Sequence, residues 1–195
     1  MEKLYKPFED FLRKVKVDED IIQQIMNVEY PANDNPNQDC ANFYAAVIRK
    51  CDELVDFNIL ADAMFNKSCC KSGYRLNNAK QMAKEHGDKP LEEKLILLGE
   101  LKYMGKPKLN ADGDIESVAV GAYGAEGMYC PCWNFKGCAP ENGPMPLNYC
   151  LCCAGHFKFH YQKALNLKLR VKKVVSSTIN SCGKEPCVFV FEILK

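Results

Sequence analysis

The apolar residues of this chain change their spacing near residue 110, and that change limits the fold more than any motif does. Before it, apolar side chains recur every three or four residues: Leu4, Phe8, Phe11, Leu12 and Val15, then Ile21, Ile22, Ile25 and Met26, then Phe43, Val47, Cys51 and Leu54, then Phe57, Leu60, Ala61, Met64 and Phe65. This is the stripe of a helix buried on one side. After it, Leu169, Val171, Lys173 and Val175 alternate with Arg170, Lys172, Val174 and Ser176, and Cys187, Phe189, Phe191 and Ile193 alternate in the last run. Alternation by two belongs to strands with one buried face. Helices followed by strands predict an α+β domain, with a helical half packed on an antiparallel sheet formed mainly by the C-terminal half.

The breakers divide the helical half. A helix is expected over residues 4–16, where Pro7 is tolerable in a first turn. Asp18 is placed to cap a short second helix. Tyr30 to Gln38 reads as a loop, with Asp39 capping the next helix. The run from Phe57 should end near Ser68, a helix from Arg75 to Glu85 should stop at Gly87, and Pro90 should open a helix that Gly99 closes. His86 reads as a helix-end cation. Asp112-Gly113 is a hairpin turn signal followed by the β-rich residues Ile115, Val118 and Val120. Gly121, Gly124 and Gly127 suggest a bend or bulge. Tyr149 to Leu165 predicts one embedded helix, with Cys153, Phe157, Tyr161 and Ala164 on its core side. The last two strands should pair across a turn at Asn180–Pro186.

At 195 residues one domain is expected, with residues 1–100 mainly helical and residues 101–195 β-rich. A chain of this size buries about 70% of its unfolded surface and needs no cysteine staples. Net charge is +1, without long blocks of one sign, so nothing in the composition points to nucleic acid. No apolar run approaches the roughly 20 residues that span a bilayer. The first ten residues are mixed in charge and lack the apolar core of a secretory signal, which predicts a cytoplasmic protein with reduced thiols.

That expectation governs the twelve cysteines. Half of them lie between Met128 and Phe159: Cys130, Cys132, Cys138, Cys150, Cys152 and Cys153, together with the only tryptophan, Trp133, and His156. Two close-set thiol groups, Cys130-x-Cys132 and Cys150-x-Cys152-Cys153, are joined by a Gly/Pro-rich loop. A tetrahedral zinc site draws four N or S donors from two such elements. The candidate ligands are Cys130, Cys132, Cys150 and Cys152, with Cys153, Cys138, Cys182 and the turn pair Cys69/Cys70 as alternates. An iron–sulfur cluster uses the same donors. Cys40 and Cys51 sit inside helical patterns and are expected to be buried as small apolar groups. Cys187, at a strand start, is expected to point into the core.

Cys152, His156 and His160 fall one turn apart, so on a helix they share a face. That face could ligate a metal. It could also pair a nucleophile, Cys152 or Cys153, with His156 as base, which describes a hydrolase or thiol-transfer enzyme. In a third reading both histidines are surface residues and the cysteines serve packing. Arg75, Glu126 and Trp133 could contact a ligand. Ten Phe and nine Tyr suit an apolar pocket or plain core.

The C-terminal third carries a family resemblance. Tyr149-Cys150-Leu151-Cys152-Cys153-Ala154-Gly155-His156, Tyr161 to Leu165, Leu169-Arg170-Val171, Val174 to Ser177 and Pro186-Cys187-Val188-Phe189-Val190-Phe191 resemble the end of cysteine-rich bacterial proteins of two kinds. One is the four-vinyl reductase type of ligand-binding domain, the other the aminothiazoline-carboxylate hydrolase-like proteins. The match covers roughly 70 of 195 residues. The resemblance implies an α+β fold enclosing a small hydrophobic ligand, in some members with zinc bound by Cys and acidic residues. On that pattern Cys150, Cys152 or Cys153 and Cys187 take the ligating positions. The acidic residue of the penultimate strand is here Ser176 or Ser177, and no catalytic residue of the hydrolases maps onto this chain. The expectation is a cytoplasmic small-molecule-binding or sensor-like domain with a thiolate zinc site.

Overall fold

The computed structural model describes residues 2–67, 71–119, 130 and 138–195. Six helices come first: α1 (Glu2–Lys14), α2 (Glu19–Met26), α3 (Pro36–Leu54), α4 (Phe57–Lys67), α5 (Gly73–His86) and α6 (Leu91–Glu100). Strands β1 (Lys106–Leu109) and β2 (Ile115–Val118) follow. A 3-10 turn (Leu147–Cys150) then leads into α7 (Leu151–Leu165), and β3 (Lys168–Ser176) and β4 (Val188–Leu194) complete the chain. The architecture is the expected α+β.

The apolar stripes read from the sequence are the buried ones. Phe8 and Leu12 of α1, Ile22 and Ile25 of α2, Phe43, Val47 and Cys51 of α3, and Leu60 and Met64 of α4 all lie in one core cluster. Helix ends are where the reading needs correction. Helix α3 begins at Pro36, inside the expected loop, because Asn35 supplies the cap: its Oδ1 accepts the Asn37 N–H at 3.0 Å and Pro36 fills the first helical position. Asp39 is instead buried and accepts the Asn33 N–H at 3.1 Å. Asp18 stands at the cap position of α2 without a side-chain capping bond. Gly99 lies within α6 and does not close it, since the chain leaves the helix at Leu101.

The four strands form one sheet in the order β1-β2-β4-β3, every neighbouring pair antiparallel. Asp112-Gly113 does make the β1–β2 turn. Asn110 Oδ1 accepts the N–H groups of Asp112 and Asp114, both at 3.0 Å, and Gly113 takes a φ of +80°. Strands β3 and β4 pair as a hairpin, and β4 reaches past it to pair with β2. The simple alternation expected for β3 is interrupted. Register shifts between Val171 and Lys173 and between Val174 and Ser176 leave Lys172 and Val175 unmatched on β4. Beyond the first shift the phase flips, so Val174 and Ser176 face inward while Val175 is 47% exposed.

Helix α7 crosses the inner face of this sheet. Phe157 lies 5.6 Å from Phe189 and Tyr161 lies 5.7 Å from Phe191, centroid to centroid. The buried Tyr161 hydroxyl donates to the Met104 carbonyl and receives the Ser117 hydroxyl at 2.6 Å. The opposite sides of α7 pack on α4 and α5.

Two glycines permit these contacts. Gly105 has a φ of +71°, and a Cβ there would stand 2.8 Å from the Val118 carbonyl oxygen and 2.9 Å from Ser117 Oγ. Gly155 brings α7 against α4, where a Cβ would stand 3.1 Å from Phe65 Cα. We expect Gly105→Ala to cost about 2–3 kcal/mol, from left-handed strain and backbone overlap together. Gly155→Ala should cost about 1 kcal/mol, because improved helix propensity offsets part of the overpacking. Urea unfolding measures both, and a Gly105→Ala midpoint equal to wild type would refute this account of the turn.

Candidate functional site

On a helix with a period of 3.6 residues, the pattern of α7 sorts its side chains onto three sides. Ala154, Phe157, Tyr161 and Ala164 face the sheet, Gly155 and Lys158 face α4, and Cys152, His156 and His160 lie toward α5. Cys153, expected on the core side, is only half-buried. Cys150 precedes the helix, in the 3-10 turn, and points inward with 4% of its surface exposed.

A strap of chain delivers Cys150 to that place. Residues 139–146 are laid along α3 by polar side chains. Gln38 Nε2 donates to the Ala139 carbonyl at 2.6 Å, and Asn42 Nδ2 donates to Glu141 Oε2 at 2.6 Å. The Glu141 N–H returns to Asn42 Oδ1 at 2.9 Å, and Arg49 Nη2 donates to the carbonyls of Asn142 and Pro144 at 2.8 and 2.9 Å. From the far side, Asn180 Nδ2 holds the Met145 carbonyl at 2.8 Å.

At the end of the strap Cys150 meets the corner after β3. Ser177, fully buried, hydrogen-bonds its thiol. The next residue, Thr178, presents its N–H to Cys187 Sγ at 3.4 Å and its hydroxyl at 3.5 Å. Cys187 is 6% exposed and lies in the core, as expected. Burial holds the Cys150 thiol well above the ordinary thiol range. Cys187 pushes it higher still, Cys152 and Cys130 add to this, and the Ser177 bond opposes it. Cys130, Cys152 and Cys187 thus lie near enough to Cys150 for their charges to act on it.

Of the cysteines expected as ligands, Cys130 and Cys152 lie near enough to act on the charge of Cys150, and Cys187 does so more strongly. The fourth, Cys132, lies outside the described residues, as do Cys69, Cys70, Glu126, Trp133 and the three glycines 121, 124 and 127. Among the described residues, no group of three His, Cys, Asp or Glu side chains stands close enough to hold a metal ion as placed. Cys138 is half-buried and Cys182 is exposed in the β3–β4 turn. Cys40 and Cys51 are core residues of α3, as expected, and burial pushes the Cys51 thiol up to about 12.

Both histidines are buried, at 3% for His156 and 0% for His160, which overturns the surface reading. Their ring centroids are 4.9 Å apart. Arg75, in the first turn of α5, directs Nη1 onto His156 Nε2 and stacks its guanidinium 5.0 Å from the Tyr103 ring. A guanidinium can only donate, so in this contact Nε2 is the accepting atom. Sequence spacing gave no reason to link Arg75 to His156, because the link exists only where α5 packs on α7. Ser177 and Thr178 are equally hidden in the sequence: Ser177 stands out only as one of two replacements for an acid, and Thr178 not at all.

No helix among the described residues is long and apolar enough to cross a membrane. The chain matches no family model, no curated protein and no solved structure.

A thiol held above its usual range carries little thiolate at neutral pH and reacts slowly. With iodoacetamide at pH 8 and peptide mapping, we expect Cys182 to be alkylated first and Cys51 and Cys150 last among the cysteines of the described residues; early labelling of Cys150 would contradict its placement. The same shift has a stability consequence. A thiol whose folded value is raised stabilises the fold up to its ordinary value near 9, and that contribution is lost as pH climbs toward the folded value of about 12. Cys51 alone should therefore lower unfolding free energy by roughly 1.4 kcal/mol per pH unit above pH 9, a slope that Cys51→Ala removes.

Proposed function

We propose that this chain is a cytoplasmic small-molecule-binding or sensor-like domain built around a thiolate metal site, with zinc the ion. One observation supports this above the others. Cys150 is buried with the thiols of Cys130, Cys152 and Cys187 near it, and burial opposes its ionisation unless a cation is present. Apolar packing would not gather four polarisable thiols beside a buried Ser and Thr hydroxyl. Metal binding takes thiols as thiolates and releases their protons, so it turns an unfavourable cluster into a favourable one.

The candidate donors are Cys130, Cys132, Cys150 and Cys152, with Cys187 as the further donor that its position beside Cys150 supports. Since the described thiols do not stand at ligand spacing, the reading requires Cys132 or a tightening of the cluster around the ion. Ser177 and Thr178 would then donate to the sulfurs from outside the ligand set, the usual way a ligand is oriented. Bound zinc supplies the positive charge that ionises the thiols.

A small ligand could use the groove between α5 and α6, about 340 Å³, lined by Tyr74, Met82, His86 and Leu97. Its size falls in the range of small-molecule sites. The alternative enzyme reading, with Cys152 or Cys153 as nucleophile and His156 as base, fits less well. The Nε2 lone pair of His156 is occupied by Arg75, so that atom is not open to a thiol proton.

Elemental analysis of protein purified anaerobically without added metal tests the site. We expect one zinc per chain, a loss of thermal stability on chelation, and failure of Cys150→Ser to retain the ion. Structural zinc sites contribute on the order of 10 kcal/mol to folding, so the chelator effect should be large. Metal-free protein whose melting temperature ignores added zinc would defeat the reading. Iron with sulfide would move it to a cluster.

A further inference from the structure

Two dipeptides of this chain set an acid or amide side chain directly before glycine, Asp112-Gly113 and Asn142-Gly143. In both, the side-chain carbonyl carbon can close a five-membered ring onto the glycine nitrogen, and glycine has no Cβ to hinder the approach. The fold treats the two differently.

Asp112-Gly113 is locked in the β1–β2 turn. The Gly113 N–H donates to the Asn110 carbonyl at 3.1 Å, and Lys172 Nζ holds the Asp112 carboxylate at 3.5 Å. Asn180, which precedes the small residue Ser181, is locked as well. Its Nδ2 is engaged on the Met145 carbonyl at 2.8 Å, and the Ser181 N–H donates to the Ser177 carbonyl at 2.9 Å. Asn142-Gly143 lies in the strap, outside helix and strand, with both residues exposed. Among the described residues, neither the Asn142 side-chain amide nor the Gly143 N–H has a hydrogen-bond partner. Beyond its chain neighbours, a Cβ on Gly143 would find only Arg49 Nη2 within 4 Å, at 3.7 Å. The contact this peptide does make favours reaction. Arg49 Nη2 donates at 2.8 Å to the Asn142 carbonyl, the one conjugated with the Gly143 nitrogen. A guanidinium there stabilises the negative charge that reaches the oxygen when the nitrogen gives up its proton.

We propose that Asn142-Gly143 is a site of self-modification, where Arg49 promotes conversion of Asn142 to aspartate and isoaspartate. Hydroxide takes the proton of the Gly143 nitrogen, and that nitrogen bonds to Asn142 Cγ. The bond from Cγ to the side-chain nitrogen breaks, and ammonia leaves with a proton from water. Water then opens the cyclic imide. Attack at Cγ gives aspartate and attack at the Asn142 main-chain carbonyl carbon gives isoaspartate, so the sum is asparagine plus water to acid plus ammonia. Isoaspartate carries the chain through Cβ and Cγ, which adds one backbone atom between Glu141, held by Asn42, and Met145, held by Asn180. It also turns the carbonyl under Arg49 into a free carboxylate, the group that an isoaspartyl methyltransferase esterifies. This site is independent of the metal and ligand readings and stands or falls separately from them.

The test is incubation of the full chain at pH 7, folded and in urea. Peptide mapping locates the product, and an isoaspartyl methyltransferase with labelled S-adenosylmethionine measures it. Expected in the folded chain is isoaspartate at Asn142, formed at least as fast as in urea, with Asp112 and Asn180 unconverted. The rate should rise with pH, fall several-fold in Arg49→Met, and be largely kept in Arg49→Lys, which retains a charged donor. Asn142→Gln, whose ring would need six members, should abolish methyl transfer. Slower conversion at Asn142 in the folded chain than in urea shows a locked peptide and overturns the proposal. So does conversion of Asp112 or Asn180 ahead of Asn142, or methyl transfer that Asn142→Gln retains. Undiminished conversion in Arg49→Met overturns the part assigned to Arg49.

Discussion

Much of this structure depends on how one side of α7 is seated. Phe157 and Tyr161 lie on Phe189 and Phe191, and the polar end of Tyr161, carried into an apolar layer, is satisfied there by Ser117 and the Met104 carbonyl. An unsatisfied buried hydroxyl costs about 1–3 kcal/mol, so the position of α7 is tied to strand β2 and to the chain entering β1. Burial also holds the phenol above its ordinary range, which keeps it protonated and able to donate. With the sheet side of the helix fixed, its other two sides receive α4 and α5. The thiols near its first turn, the histidines toward α5 and the lysine toward α4 take their places from that single seating.

The thiol cluster is a consequence of this arrangement and of two connections that have little regular structure. The strap along α3 brings Cys150 in from one direction, and the corner after β3 brings Ser177, Thr178 and Cys187 from another. Each connection sinks one apolar residue into the core, Met145 and Ile179. They are also held by amide and guanidinium donors, Arg49 and Asn180 on backbone carbonyls and Asn42 on the Glu141 carboxylate. Such bonds are modest singly, yet they are directional, and direction is what aims a sulfur.

What could be read from the sequence was what depends on neighbours in sequence. The helices of the first half follow from apolar spacing, the β1–β2 turn from Asp112-Gly113, and the burial of Cys40, Cys51 and Cys187 from their places in helix and strand patterns. The start of α3 was misjudged because two capping residues compete within five positions, and the choice of Asn35 over Asp39 is made by Asn33, which binds Asp39 elsewhere. The phase of β3 was misread because its register shifts are set by pairing with β4, and both phases of Leu169 to Ser176 contain apolar residues. His156 and His160 looked like surface residues because nothing in their own helix says that α5 covers them.

The sequence by itself determined the α+β class, the order of helices and strands, and the clustering of thiols at both ends of one loop, since these follow from periodicity and short-range spacing. Only the tertiary structure decided that Cys187 joins Cys150, that Arg75 occupies His156, and that Lys158 meets Lys71 over Phe65. Each of those meetings joins residues far apart along the chain. Their separation in space is fixed by how α7 is packed, and packing depends on shape and burial that no local pattern records.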